Sequence, residues 1–148
     1  MSPRRPGLKS TWLALSLVCN TVGATTVAGN DSPGYELSLA HPTVHQLVGA
    51  DVASPRTQSF VWIEVTQVRN PQRIPLSFEV GFQPGQGEKI RLGSFSLYPP
   101  DHPGRFIVAT GGKLQAGGTV SVTLVPLQRA GDEARIRVRL ARLTFRAN

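Results

Sequence analysis

Short runs rich in β-branched and aromatic residues, patterned with a period of two and cut apart by glycine and proline, fill the chain from residue 35 onward. A period of two sends alternate side chains to opposite faces of an extended backbone, so the pattern predicts strands. Strands are expected over 35–39, 59–68, 76–82, 89–98, 106–110, 119–127 and 134–145. About seven short strands with turn residues between them are the signature of an all-β fold, an antiparallel β-sandwich or flattened barrel. Phe60-Val61-Trp62-Ile63 is apolar on both faces, which suits a central strand covered from both sides. In the last strand Ile136, Val138 and Leu140 alternate with Arg135, Arg137 and Arg139, predicting a core face and a basic face. After Ala141 the phase flips, because Leu143 and Phe145 are the next apolar residues, and a one-residue slip of this kind is what a β-bulge produces.

One departure from strands is expected. Pro42 stands where a first helical turn tolerates proline, with His41 at the cap and Gly49 at the stop, so a short helix is predicted over 42–48. Residues 49–58 and the glycine-rich stretch 111–118 read as loops.

The start of the chain follows a different pattern. Arg4, Arg5 and Lys9 precede the apolar run Thr11-Trp12-Leu13-Ala14-Leu15-Ser16-Leu17-Val18, and small residues follow at Val22-Gly23-Ala24 and Thr26-Val27-Ala28. Basic, then apolar, then small is the order of an export signal, so residues 1–28 are expected to be a cleaved signal peptide. The apolar run is shorter than the roughly 20 residues a membrane helix requires, so no stable membrane span is expected after cleavage. Arg4-Arg5 with Leu8-Lys9 is also similar to the twin-arginine export motif, although Gly7 takes the place of the usual aromatic residue. Cys19 follows the apolar run as a lipoprotein cysteine would, but Val18 before it is too large for that processing site. The expected destination is periplasmic or secreted, and residues 29–148 are expected to form a single β-sandwich domain.

Removing such a leader changes the charge. Of 16 basic residues three leave and none of the nine acids does, so the balance falls from +7 to 13 − 9 = +4. That is mildly basic and not the footprint of a nucleic-acid binder. The only cysteine leaves as well, which excludes a disulfide, a thiolate metal site and a cysteine nucleophile in the exported form.

Candidate chemistry is sparse. The sequence has no Gly-x-Ser-x-Gly elbow, and its histidines lie in proline-flanked or expected helical settings without a nucleophile signature beside them. Asp101, Asp132 and Glu133 fall in expected turns, while Glu64 and Glu79 fall in strands; nothing in their spacing indicates a paired acid and base. No catalytic residue is assigned, and the protein is expected not to be an enzyme. His41 and His45, four apart, would share one face of a helix and could hold a metal ion, with His102 as a third ligand if its loop folded back. Copper is the metal such a set suggests. Arg135, Arg137 and Arg139, with Arg142 and Arg146 beyond, could meet an anionic polymer, but no aromatic residue stands among the first three, and a solubilising outer face is the simpler reading.

The loop Tyr98-Pro99-Pro100-Asp101-His102-Pro103-Gly104 stands out because three prolines freeze much of its backbone. A frozen loop presents Tyr98 and His102 in a fixed direction at low entropic cost, as a binding tip requires.

Three segments in fixed order add to this: Ser77-Phe78-Glu79-Val80, Gly93-Ser94-Phe95 and Val122-Thr123-Leu124-Val125-Pro126. Their order and spacing resemble the C-terminal β-domain of plant-type polyphenol oxidases and tyrosinases. That domain carries a Lys-Phe-Asp-Val motif, a Gly-Ser-Phe strand running into a Pro/His loop, and a closing Val-Thr-Leu-Val-Pro strand. Here Ser77 stands for Lys and Glu79 for Asp, and the likeness covers roughly residues 60–145. In that family the β-domain shields the dicopper entrance of a catalytic domain with a bulky side chain. The resemblance therefore implies a docking role for Tyr98, Pro99, Pro100, Asp101 and His102, with Tyr98 as the plug. It implies no oxidase activity, since the histidine clusters of the dicopper domain are absent from this sequence. The expected function is that of a non-catalytic exported protein that docks on another protein, such as a copper oxidase, in a manner similar to the small caddie proteins of some bacterial tyrosinases. Two alternatives remain: a periplasmic copper-binding or copper-delivery protein using His41, His45 and His102, and a generic extracytoplasmic interaction or structural β-module.

Overall fold

The computed structural model describes residues 34–50 and 59–147. The expected leader, residues 1–28, and most of the expected loop 49–58 lie outside the described residues. Among the described residues nine strands form two antiparallel sheets: β1 Tyr35–Ser38, β2 Thr43–Leu47, β3 Ser59–Arg69, β4 Leu76–Gln83, β5 Ile90–Ser96, β6 Gly104–Ala109, β7 Thr119–Pro126, β8 Arg137–Leu140 and β9 Thr144–Ala147. The first sheet runs β1-β8-β3-β6, with β9 also pairing β3; the second runs β2-β7-β4-β5. This is the all-β sandwich that the period-two pattern predicts.

The alternation carries through to packing. Val61, Ile63 and Val65 of β3 are buried, as are Phe78, Val80 and Phe82 of β4 and Val120, Val122 and Leu124 of β7, so both sheets line one core. The three segments that carry the family resemblance sit side by side. Val80 lies opposite Gly93 on one flank and opposite Val122 on the other. Phe95 stacks on Phe78 at 4.8 Å and on Phe106 at 4.2 Å, so three rings continue the core from the edge of the second sheet to the edge of the first. Gly93 makes room for this closure, because a Cβ there would stand 3.0 Å from Val108 of the facing strand.

Three expectations need correction. The segment expected as a short helix near 42–48 is strand β2, paired antiparallel to β7 over its whole length. Its sequence alternates, with His45 and Leu47 outward and the half-buried Val44 and buried Gln46 inward, and ladder bonds to β7 outweigh what one helical turn would gain. Gln46 then ties the sheets together: its amide donates to the Leu143 carbonyl at 2.8 Å and accepts from the Leu143 N–H at 2.8 Å. The single strand expected over 134–145 is instead a 3-10 turn, Asp132–Ala134, followed by β8 and β9. The expected phase flip is present, since Ile63 and Glu64 of β3 face three residues, 141–143, between β8 and β9. Finally, among the described residues no second layer covers the outer side of β3. Phe60 and Trp62 are half-buried there, and Arg146 lies over the Trp62 ring at 4.4 Å.

Candidate docking tip and basic face

The proline-rich loop leaves the edge of the second sheet after β5 and enters the first at β6. Its base is fixed by Leu97, which is buried and donates from its backbone N–H to the Leu76 carbonyl at 3.2 Å. The next side chain, Tyr98, is 98% exposed, more than any other large apolar residue of the described chain. The Tyr98–Pro99 peptide bond is cis. Within the loop the His102 N–H donates to the Pro99 carbonyl at 3.2 Å.

What holds this loop is Asn70, a residue the sequence reading did not single out. Its side chain is buried, and its amide nitrogen donates to the Ile74 carbonyl at 2.8 Å and to the Pro100 carbonyl at 3.0 Å. Its amide oxygen accepts from the Ile74 N–H at 3.1 Å. Both donors and the acceptor of one buried amide are thereby satisfied, and two loops that meet only in space are locked together. The local signal was Asn70-Pro71, a dipeptide that starts turns, because asparagine readily bonds the backbone just ahead of it.

A second clamp is ionic. Arg73, in the left-handed region at φ 51, places its Nε 3.3 Å from Asp101 Oδ2, and His102 Nδ1 lies 2.9 Å from Asp101 Oδ1. The hydrogen bond from His102, assisted by the Arg73 charge, holds the Asp101 carboxyl below the usual carboxylate range. Tyr98, Pro99, Pro100, Asp101 and His102 thus form one braced unit. Leu127, 59% exposed, lies at the same end of the second sheet, where its N–H donates to the Pro75 carbonyl at 2.9 Å.

The candidate metal ligands are not gathered. His41 lies in the turn before β2, His45 points outward from β2, and His102 is bonded to Asp101 in the tip. The helical face on which the first two were to meet does not exist. Among the described residues no group of three or more His, Cys, Asp or Glu side chains could hold a metal ion.

The basic face is partly as expected. Arg137 and Arg139 alternate outward from β8, while Val138 and Leu140 turn into the core. Arg135 is not on the strand but follows the 3-10 turn at φ 49. Glu36 of β1 serves both strand arginines, at 3.6 Å to Arg137 and 3.3 Å to Arg139.

Among the described residues no helix is long and apolar enough to cross a membrane. In comparisons with known proteins, no family model, no curated protein and no solved structure matches this chain.

Proposed function

We propose that this protein is a non-catalytic docking module whose proline-braced tip inserts Tyr98 into a pocket of a partner protein. The observation that carries the reading is the pairing of an almost fully exposed tyrosine with a backbone held by a saturated, buried asparagine. Exposing an aromatic ring to water is unfavourable, and bracing the loop that exposes it removes the conformational entropy that docking would otherwise cost. Tyrosine is also, with tryptophan and arginine, one of the side chains enriched at interface anchors, since it offers a large apolar body and a polar end. Leu127 at the same end of the sheet supplies a second apolar contact.

The partner class follows from the resemblance of the β4, β5 and β7 segments to the shielding domain of tyrosinase-type copper enzymes: a separately encoded copper oxidase whose entrance Tyr98 would occlude. The export signal expected in the first 28 residues would place the encounter outside the cytoplasm.

The test pairs the protein with a tyrosinase-type copper oxidase of the same source. Binding is followed by biolayer interferometry and diphenol oxidation by absorbance. Wild type should bind and slow oxidation, and Tyr98→Ala should weaken binding at least about tenfold, as loss of an anchor residue does. Failure of wild type to bind, or equal binding by Tyr98→Ala, would overturn the proposal.

A further inference from the structure

Cations are distributed unevenly over the two outer faces of the sandwich. On the second sheet Arg91 stands 3.8 Å from Glu79 with Lys89 lining the same hollow, and the rest of that face is Ser77, Ser94, Thr43 and Thr123, the two threonine hydroxyls bonding each other at 3.0 Å. On the first sheet the arginines outnumber the acids. Arg137 lies directly opposite Arg69 in the β3–β8 ladder, and Arg139 lies opposite Gln67 and Glu36. Two like charges directly opposite on adjacent strands disfavour the pairing unless an anion sits between them. Among the described residues Arg69 has no acidic partner, and Glu36 is shared between two guanidinium groups. A hollow of about 160 Å³ opens among Glu36, Gln67, Arg69, Arg137 and Arg139.

A second hollow, of about 270 Å³, lies on the same sheet among Trp62, Glu64, Arg105, Arg142, Thr144 and Arg146. Glu64 is satisfied by Arg105 at 3.0 Å, which leaves Arg142 and Arg146 without an ion pair among the described residues. Arg146 is held over the Trp62 ring at 4.4 Å, and a stacked guanidinium is a pre-set donor for an oxyanion. Phe145 of the last strand packs against the core, so the aromatic ring beside these arginines on the outer face is Trp62 of the neighbouring β3. Its ring face carries an arginine and is not open for a base to stack upon, which argues against single-stranded nucleic acid.

We propose that the outer face of the first sheet binds a linear acidic polysaccharide, one carrying carboxylates along its length, through Arg69, Arg137 and Arg139 at one hollow and Arg142 and Arg146 at the other. Outward residues two apart on a strand stand about 6.8 Å from each other, so the face offers a ladder of cations rather than a single pocket. Charge complementarity selects the polymer, and an exported chain would meet it at a cell envelope. This surface is independent of the Tyr98 tip, so either proposal can fail alone.

The probe is alginate oligosaccharide, with neutral dextran and a mixed-sequence single-stranded oligodeoxynucleotide as comparison ligands. Alginate should bind at about 50 mM NaCl and weaken by about tenfold or more at about 300 mM, as screening of a multi-arginine contact requires. Arg139→Gln with Arg142→Gln should lower affinity by about tenfold, while Arg91→Gln with Lys113→Gln, the same loss of charge elsewhere, should change it by about twofold or less. On the unaltered protein, alginate should shield Arg139, Arg142 and Arg146, but not Arg91, from phenylglyoxal, read by mass spectrometry; this arm needs no variant to fold. Absence of alginate binding at low salt, equal losses in the two double variants, or no selective shielding would overturn the proposal. Tighter binding of the oligonucleotide than of alginate would also overturn it, in favour of nucleic acid.

Discussion

Two loops each carry one large side chain, and they treat it in opposite ways. In the loop 111–118 between β6 and β7, Leu114 is 4% exposed, while in the tip after β5 Tyr98 is 98% exposed. The first loop is shaped by glycine: Gly111, Gly112 and Gly117 all have positive φ, and the backbone folds until the leucine reaches the core. The tip is shaped by proline and by bonds from another loop, and its ring stays in water. Flexible chain that can hide an apolar group does so, since burial of a leucine is worth about 2 kcal/mol. A loop that cannot do so because its backbone is fixed marks a place where exposure serves something other than stability.

The largest test of this contrast is Leu114→Ala. Removing a buried anchor should lower stability by about 2–3 kcal/mol, read as a shift in the urea midpoint. A loss below about 0.5 kcal/mol would mean that the leucine is not what fixes that loop.

Asn70→Ala comes next, with an expected loss of about 2 kcal/mol, because it orphans the buried Ile74 carbonyl and N–H together with the part-buried Pro100 carbonyl. Amide exchange should accelerate at His102 and be unaffected in residues 111–118. Acceleration spread evenly over both loops would contradict a clamp specific to the tip.

Gly117→Ala should cost about 1 kcal/mol, since φ is +74 there and an alanine is strained although its Cβ meets nothing within 4 Å. A neutral result would show that the glycine loop is free to rearrange.

The ionic clamp is tested by acid. The Asp101 carboxyl titrates below its ordinary value in the folded state, so its contribution to the tip is fully present above about pH 4 and is lost as pH falls through the lowered value. In an NMR titration, His102→Ala should raise the Asp101 value more than Arg73→Ala does, because the hydrogen bond from His102 is the larger cause. The reverse order would make the Arg73 pair the real clamp.

Tyr98→Ala should have the smallest effect, within about 0.5 kcal/mol of wild-type stability, because an exposed side chain leaves no cavity. A large loss would show that the ring packs on the protein and is not offered to a partner.

The sequence made the strands legible wherever alternation was strong, as in Ile136 to Leu140, and it made the tip legible through Pro99, Pro100 and Pro103. It misled at 42–48, where Pro42 and Gly49 are good helix punctuation but Thr43 to Leu47 find ladder partners on β7, some 80 residues away. It was silent about Asn70, whose bond to Pro100 spans 30 residues, and about Trp62 and Arg146, which only the β3–β9 pairing brings together. Local pattern encodes which residues face inward. It does not encode which distant side chain will satisfy a loop carbonyl or cover a ring.

Backbone ¹⁵N relaxation on the free protein tests most directly whether the tip is set before any partner arrives. The order parameters of Tyr98, Asp101 and His102 should lie near the value of about 0.85 found for rigid backbone, and should fall in Asn70→Ala. Values below about 0.6 in the unaltered protein would mean that Tyr98 hangs on a mobile loop, and the proposed pre-organised docking would be wrong.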